Sequence, residues 1–70
     1  MEIKDKIRMA CVKSGISVTA LGKEMGMSQS AISQRLTTGK FTQAELEHMA
    51  KVLGCKYHSV FEYEDGTKIE

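Results

Sequence analysis

Apolar or small residues recur at three- and four-residue intervals from the start of the chain, at Ile3, Ile7, Ala10, Cys11 and Ser14, and this spacing lays one stripe along a helix over residues 2–13. Gly15 ends it. Ser17 is placed to cap a second, short helix over 18–25, whose buried side carries Val18, Leu21 and Met25. Gly22 on this helix leaves no side chain where another helix could come close. Gly26-Met27-Ser28 then reads as a tight turn, an apolar residue tucked beneath it, and the N-cap of a third helix over 28–37. Ile32 and Leu36 share one side of that helix. Ala31 and the stem of Arg35 lie at its margins, where Arg35 reads either as a residue lying along the surface with its head in solvent or as a phosphate contact.

Thr42-Gln43-Ala44-Glu45 is a T-x-x-E capping box, and Phe41 before it is positioned to pack on Leu46, so a fourth helix starts at Thr42 with Leu46, Met49, Ala50 and Leu53 as its core stripe. After Gly54 the rhythm changes to two. Tyr57, Ser59, Phe61 and Tyr63 alternate with His58, Val60, Glu62 and Glu64, which predicts a strand, and Asp65-Gly66 predicts a two-residue turn returning Thr67-Lys68-Ile69 against Glu62–Glu64. The fold class expected is mainly α: a four-helix domain over 1–55 followed by a short C-terminal strand or hairpin over 56–70. The five methionines are expected mostly to fill the core.

A chain of 70 residues, 41% of them hydrophobic, supplies one modest core and little room for a buried catalytic pocket, so binding is favoured over catalysis. No nucleophile-elbow or P-loop spacing accompanies the serines, His48 or His58, and the protein is not expected to be an enzyme. Cys11 and Cys55 read as small buried hydrophobes of a reducing compartment, not as a disulfide. Together with the two histidines they lack the C-x2-C and H-x3-H spacings of a zinc site, and no metal is expected. No signal-type run follows Met1, and no apolar stretch approaches the roughly 20 residues that span a bilayer, which implies a cytoplasmic protein without a membrane partner.

The net charge of +1 is uninformative, but its distribution is not. Residues 1–40 hold seven basic against three acidic side chains, a balance of +4, while residues 41–70 hold three against six, a balance of −3. The first half is therefore the one suited to face a polyanion. Within it the outer side of the third helix carries Gln29, Ser30, Ser33, Gln34 and Thr37, uncharged types where a merely solvated face would carry Glu and Lys. Glutamine presents a donor and an acceptor together to adenine N6 and N7, and serine serves either a base edge or a phosphate, so Gln29, Ser30, Ser33 and Gln34 are the candidate base-reading residues. Thr37, Thr38 and Lys40 at the helix end, Lys23 and Arg35 nearby, and the helix starts at Ser17, Thr19 and Ser28 are the candidate phosphate contacts.

Two short helices joined by a glycine-containing turn, the second with a polar outer face, form the arrangement that sets a helix into the DNA major groove. The run Leu21-Gly22-Lys23-Glu24-Met25-Gly26-Met27-Ser28-Gln29-Ser30-Ala31-Ile32-Ser33-Gln34-Arg35-Leu36-Thr37-Thr38-Gly39-Lys40 resembles the helix-turn-helix of the phage Cro and repressor (Xre-type) family, with Gly26-x-x-Gln29-Ser30-Ala31-Ile32 nearest the Cro type. A looser likeness extends over residues 3–55, through Leu53-Gly54-Cys55 at the end of the fourth helix. The resemblance implies a repressor-like helix-turn-helix fold and a transcription regulator of phage or prophage origin on a double-stranded DNA operator. It implies base contacts at Gln29 and Ser30, no cofactor and no small-molecule substrate. Two positions depart from the family pattern: Val18 stands where many relatives carry a phosphate-gripping Gln, and Gly22 where Ala is common. Gly22 in place of Ala should cost roughly 0.5–1 kcal/mol of helix stability, offset if it permits closer packing.

A short aromatic hairpin is not stable alone. Pairing between two protomers through Tyr57, Ser59, Phe61 and Tyr63 would give a homodimer resembling those of Cro-type proteins, with two reading helices about 34 Å apart; packing of the tail within its own chain is the other arrangement. The competing function is a protein-interaction module on the same scaffold, such as the antitoxin of a toxin–antitoxin pair.

Overall fold

A computed structural model describes residues 2–58 and 60–69. Four helices, α1 (Ile3–Ser14), α2 (Val18–Glu24), α3 (Gln29–Thr38) and α4 (Gln43–Leu53), precede a small antiparallel sheet of β1 (Lys56–Tyr57), β2 (Phe61–Glu62) and β3 (Lys68–Ile69), in that spatial order. The fold is thus mainly helical. Ser17, Ser28 and Thr42 stand just outside their helices with extended backbones, and their hydroxyls accept the N–H groups of Ala20, Ala31 and Glu45 at 3.0, 3.2 and 3.1 Å. Glu45 returns the bond to the Thr42 N–H at 2.8 Å, completing the capping box. Helix α1 runs one residue beyond its expected end because Ser14 still faces inward, where its hydroxyl donates to the Leu53 carbonyl at 2.8 Å.

The core collects the stripes that the spacing marked: Ile7, Ala10 and Cys11 from α1, Leu21 from α2, Ile32 and Leu36 from α3, and Leu46, Met49, Ala50 and Leu53 from α4. Phe61 and Ile69 close it from the sheet, so the sheet shares its core with the helices. Not every methionine is core filler. Met49 is fully buried and Met25 and Met27 are half-buried, but Met9 is 47% exposed, beside Val12 at 83% on the outer side of α1. Both cysteines are free thiols, and burial pushes each above its ordinary pKa. Among the described residues no helix is long and apolar enough to cross a membrane.

The tail departs from the expected strand over 57–64. It folds back on itself: Lys56 opposes Glu62 and Tyr57 opposes Phe61, bringing the two rings to 4.9 Å between centroids at 59°. Alternation reports which residues share a face and is silent on where a strand bends. A straight strand would hold Phe61 about 13 Å from Tyr57, beyond the end of the core, whereas the fold-back lets both rings cover it.

The second turn also differs. Gly66 N–H donates to the Tyr63 carbonyl at 3.0 Å and Tyr63 N–H to the Thr67 carbonyl at 2.9 Å, so the loop is three residues, Glu64-Asp65-Gly66, with Gly66 at φ 92°. The extra loop residue shifts the register by one. Phe61 then opposes Ile69 and Glu62 opposes Lys68, which puts both apolar residues on the buried face; the two-residue turn would have set Ile69 against Glu62. Asp65 fixes the choice, since Oδ1 accepts the Thr67 N–H at 2.9 Å and Oδ2 accepts from Lys13 Nζ of α1 at 2.7 Å. Tyr63 adds a second tie to α1, its hydroxyl donating to the Ala10 carbonyl at 2.9 Å and lying 2.8 Å from Ser14 Oγ.

The Lys13 ammonium, then the bonds to Thr67, hold the Asp65 carboxyl well below the usual carboxylate range. A lowered folded-state pKa means stability that is present above the unfolded pKa of about 4 and is lost as the pH falls toward the folded value. Asp65→Asn, which keeps an acceptor for Thr67, is therefore expected to unfold at lower urea than the parent at pH 7, with the gap narrowing at pH 3. Equal gaps at the two pH values would refute the role of this pair.

Candidate nucleic-acid interface

Helix α2 ends in a turn whose hydrogen bonds leave little freedom. Gly26 N–H donates to the Lys23 carbonyl at 3.1 Å and Met27 N–H to the Gly22 carbonyl at 2.8 Å, the paired bonds of a Schellman ending, with Gly26 at φ 76°. Met25 and Met27 tuck half-buried against the core. Ser28 then caps α3. The two helices also meet directly, because a Cβ built on Gly22 would lie 2.9 Å from both Cβ and Cγ2 of Ile32. Turn and contact together fix how α3 is carried on α2.

Ile32 and Leu36 anchor the inner side of α3, which leaves Gln29, Ser30, Ser33 and Gln34 exposed together on the outside. None of these four side chains forms a hydrogen bond among the described residues. The face is thus a row of unsatisfied amide and hydroxyl groups on a rigidly held helix, with no carboxylate among them. The helix N-terminus adds backbone N–H groups beside Gln29.

The residues expected to grip phosphate divide into two sets. Lys23 on α2 and Lys40 on the loop after α3 are exposed and form no ion pair among the described residues, and Thr19 is exposed in the first turn of α2. Ser17 and Ser28 have their hydroxyl oxygens engaged as helix caps. Thr37 and Thr38 turn their hydroxyls back on the helix, donating to the carbonyls of Ser33 and Arg35 at 3.0 and 3.1 Å. Arg35 departs furthest from expectation. Its head is tied back to its own chain: Nε donates to the Lys40 carbonyl at 3.0 Å, Nη2 pairs with Glu45 Oε1, and the guanidinium carbon lies 4.9 Å from the Phe41 ring centroid. The backbone N–H of Thr42, then Arg35, lowers the Glu45 pKa. Sequence reading missed this link because it joins residues ten apart across a helix boundary, where no periodicity applies.

The aromatic row expected to dimerise is turned into its own chain. Phe61 is fully buried, Tyr57 and Tyr63 are half-buried against the helices, and Ser59 lies outside the described residues. Glu62 faces His58 Nε2 at 3.1 Å and Lys68 at 3.6 Å, which lower its pKa, His58 first. Among the described residues no three His, Cys, Asp or Glu side chains gather to hold a metal. Comparison of the chain with protein families, with curated proteins and with solved structures gave no match.

Gly22→Ala sets two effects against each other. Alanine favours the helix by up to about 1 kcal/mol, while forcing Ile32 aside costs about 1–3 kcal/mol, since the obstructing atoms are a Cβ and its branch and not a flexible tip. A net loss of roughly 0.5–2 kcal/mol is expected by chemical denaturation. The loss should shrink when Ile32→Ala removes Cγ2; additivity of the two changes would show that the contact does not set the helix spacing.

Proposed function

We propose that the protein is a sequence-specific double-stranded DNA-binding regulator, a repressor of the Cro and repressor (Xre) helix-turn-helix type, that inserts α3 into the major groove as a homodimer. The observation that carries this reading is the row Gln29, Ser30, Ser33 and Gln34: exposed, uncharged, without hydrogen-bond partners among the described residues, and held on a helix whose other side is locked to the core. The two glutamines suit adenine edges and the two serines either base edges or phosphate. Lys23 and Lys40, without ion pairs among the described residues, supply the flanking phosphate contacts. An antitoxin-type module docking protein through α3 would need apolar or aromatic groups there, and the exposed apolar side chains lie on α1 instead.

A second copy fits that α1 surface. Arg8, Met9, Val12 and Lys13 of α1 border a shallow apolar groove with Thr67 and Ile69 of β3. The alternation of an antiparallel ladder, with Thr67 and Ile69 bonded toward β2, aims the N–H and C=O of Lys68 outward along the sheet edge. Pairing of β3 with its two-fold mate would satisfy that edge and cover Met9 and Val12. One module of net charge +1 makes few phosphate contacts, so two half-sites are needed for useful affinity at physiological salt.

Selection from a random duplex library at two salt concentrations tests the reading. Enrichment of a palindrome with half-sites one helical turn apart is expected; recovery of only salt-sensitive background would overturn it. On the selected site Gln29→Ala should cost roughly 1–3 kcal/mol and relax preference at one position, whereas Lys40→Ala should weaken all sequences alike and lower the salt slope by about one. Val12→Glu, at a position too exposed to matter for folding, should convert dimer to monomer by light scattering while the melting transition moves by no more than about 0.5 kcal/mol. A dimer that survives the change would place the interface elsewhere.

A further inference from the structure

The ion pair between Arg35 and Glu45 ties the end of α3 to the start of α4, and everything between them is held by the same two side chains. Arg35 Nε fixes the Lys40 carbonyl, its guanidinium lies over the Phe41 ring, and Glu45 Oε1 accepts both from Arg35 and, at 2.8 Å, from the Thr42 N–H. Residues 40, 41 and 42 are therefore each anchored to one charged pair, through a carbonyl, a ring and an amide. Both partners are partly shielded, with side chains 35% and 29% exposed, and the forked guanidinium is the group that can hold a carbonyl and a carboxylate at once. Lys40 is the one basic side chain on this loop, and its backbone is what Arg35 grips.

We infer that Arg35 and Glu45 are positioning residues for DNA binding: the pair does not touch the nucleic acid but holds the loop so that Lys40 meets the phosphate backbone in register with the base-reading face of α3. The inference rests on the DNA-binding reading of that face. Its chemistry differs in sign from the simpler assignment of Arg35 as a phosphate ligand. A ligand arginine would be released by removal of the Glu45 charge, and loss of a carboxylate near DNA would also reduce repulsion, so binding would tighten. A positioning pair predicts the reverse.

The test is salt-dependent binding of the full chain to its selected duplex, and to a random duplex, for the parent and for E45Q, R35K, K40A and the double variant E45Q/K40A. E45Q keeps an acceptor for the Thr42 N–H, so the helix cap is retained; far-UV circular dichroism at the assay temperature verifies that each variant is folded. E45Q and R35K are each expected to bind roughly fivefold more weakly at 0.15 M salt and to lose about one unit of salt slope, the value of a single phosphate contact. K40A should add no further loss in the E45Q background. Tighter or unchanged binding by E45Q, retention of affinity by R35K, or independent losses from E45Q and K40A would each overturn the inference while leaving DNA binding intact. Absence of any duplex binding by the parent would instead overturn the reading beneath it, and the inference with it.

Discussion

With a Cβ at position 22 destined to lie 2.9 Å from Cβ and Cγ2 of Ile32, the spacing of α2 and α3 is set by what glycine lacks. Interior glycine is a cost to a helix of only seven residues, which has few internal hydrogen bonds to lose. That cost is offset by the approach it permits, because Ile32 is fully buried and is the first inward residue of α3. Once Ile32 is seated and the Schellman turn at Gly26 is closed, the rotation of α3 about its axis is fixed. Gln29, Ser30, Ser33 and Gln34 have no choice but the outside. The chemistry offered by the outer face thus follows from a packing decision made on the inner one.

The tail serves the same core by another route. Helices α1 and α4 leave their ends open near Ala10, Ser14 and Leu53, where three polar backbone or hydroxyl groups would otherwise need water. Tyr63 and Ser14 satisfy them, and Phe61 and Ile69 cover the apolar part beside them. The three short strands have little pairing of their own and are held by side chains reaching the helices. Burying Phe61 inside the chain also removes it from any intermolecular role, so association through the tail must use its outer edge.

Helix positions were legible in the sequence because their determinants are local. Caps, stops and the three- and four-residue stripes lie within one turn of the residues they organise, and every core residue marked on the helices is buried or half-buried. The polar face of α3 was legible for the same reason. The strand register was not, since it hinges on whether the turn holds two or three residues, and that depends on Asp65 reaching Lys13, more than fifty positions away. Arg35 misled in a similar manner. A basic residue at a helix margin looks like a surface group until the fold brings Glu45 to it, and the capping box that identified Glu45 gave no sign that one of its oxygens would serve two donors.

The same pairing shows why bulk charge carried so little information. At physiological ionic strength a charge is felt over about 8 Å, so what meets a polyanion is the local set near the contact and not the molecular sum. Near the sheet Asp65 is matched by Lys13 and Glu62 by His58 and Lys68, and at the α3–α4 junction Glu45 is matched by Arg35. Lys23 on α2 and Lys40 just after α3 have no such partner among the described residues. Among the described residues ion pairs engage three of the six carboxylates of residues 41–70 and, from residues 1–40, Lys4, Lys13 and Arg35, while Lys23 and Lys40 stay unpaired and the α3 face itself is neutral. A few unpaired cations spread over one module give weak attraction to any polyanion. Under the proposed reading, discrimination would come from the hydrogen-bonding row on α3 and affinity from a second copy of the module.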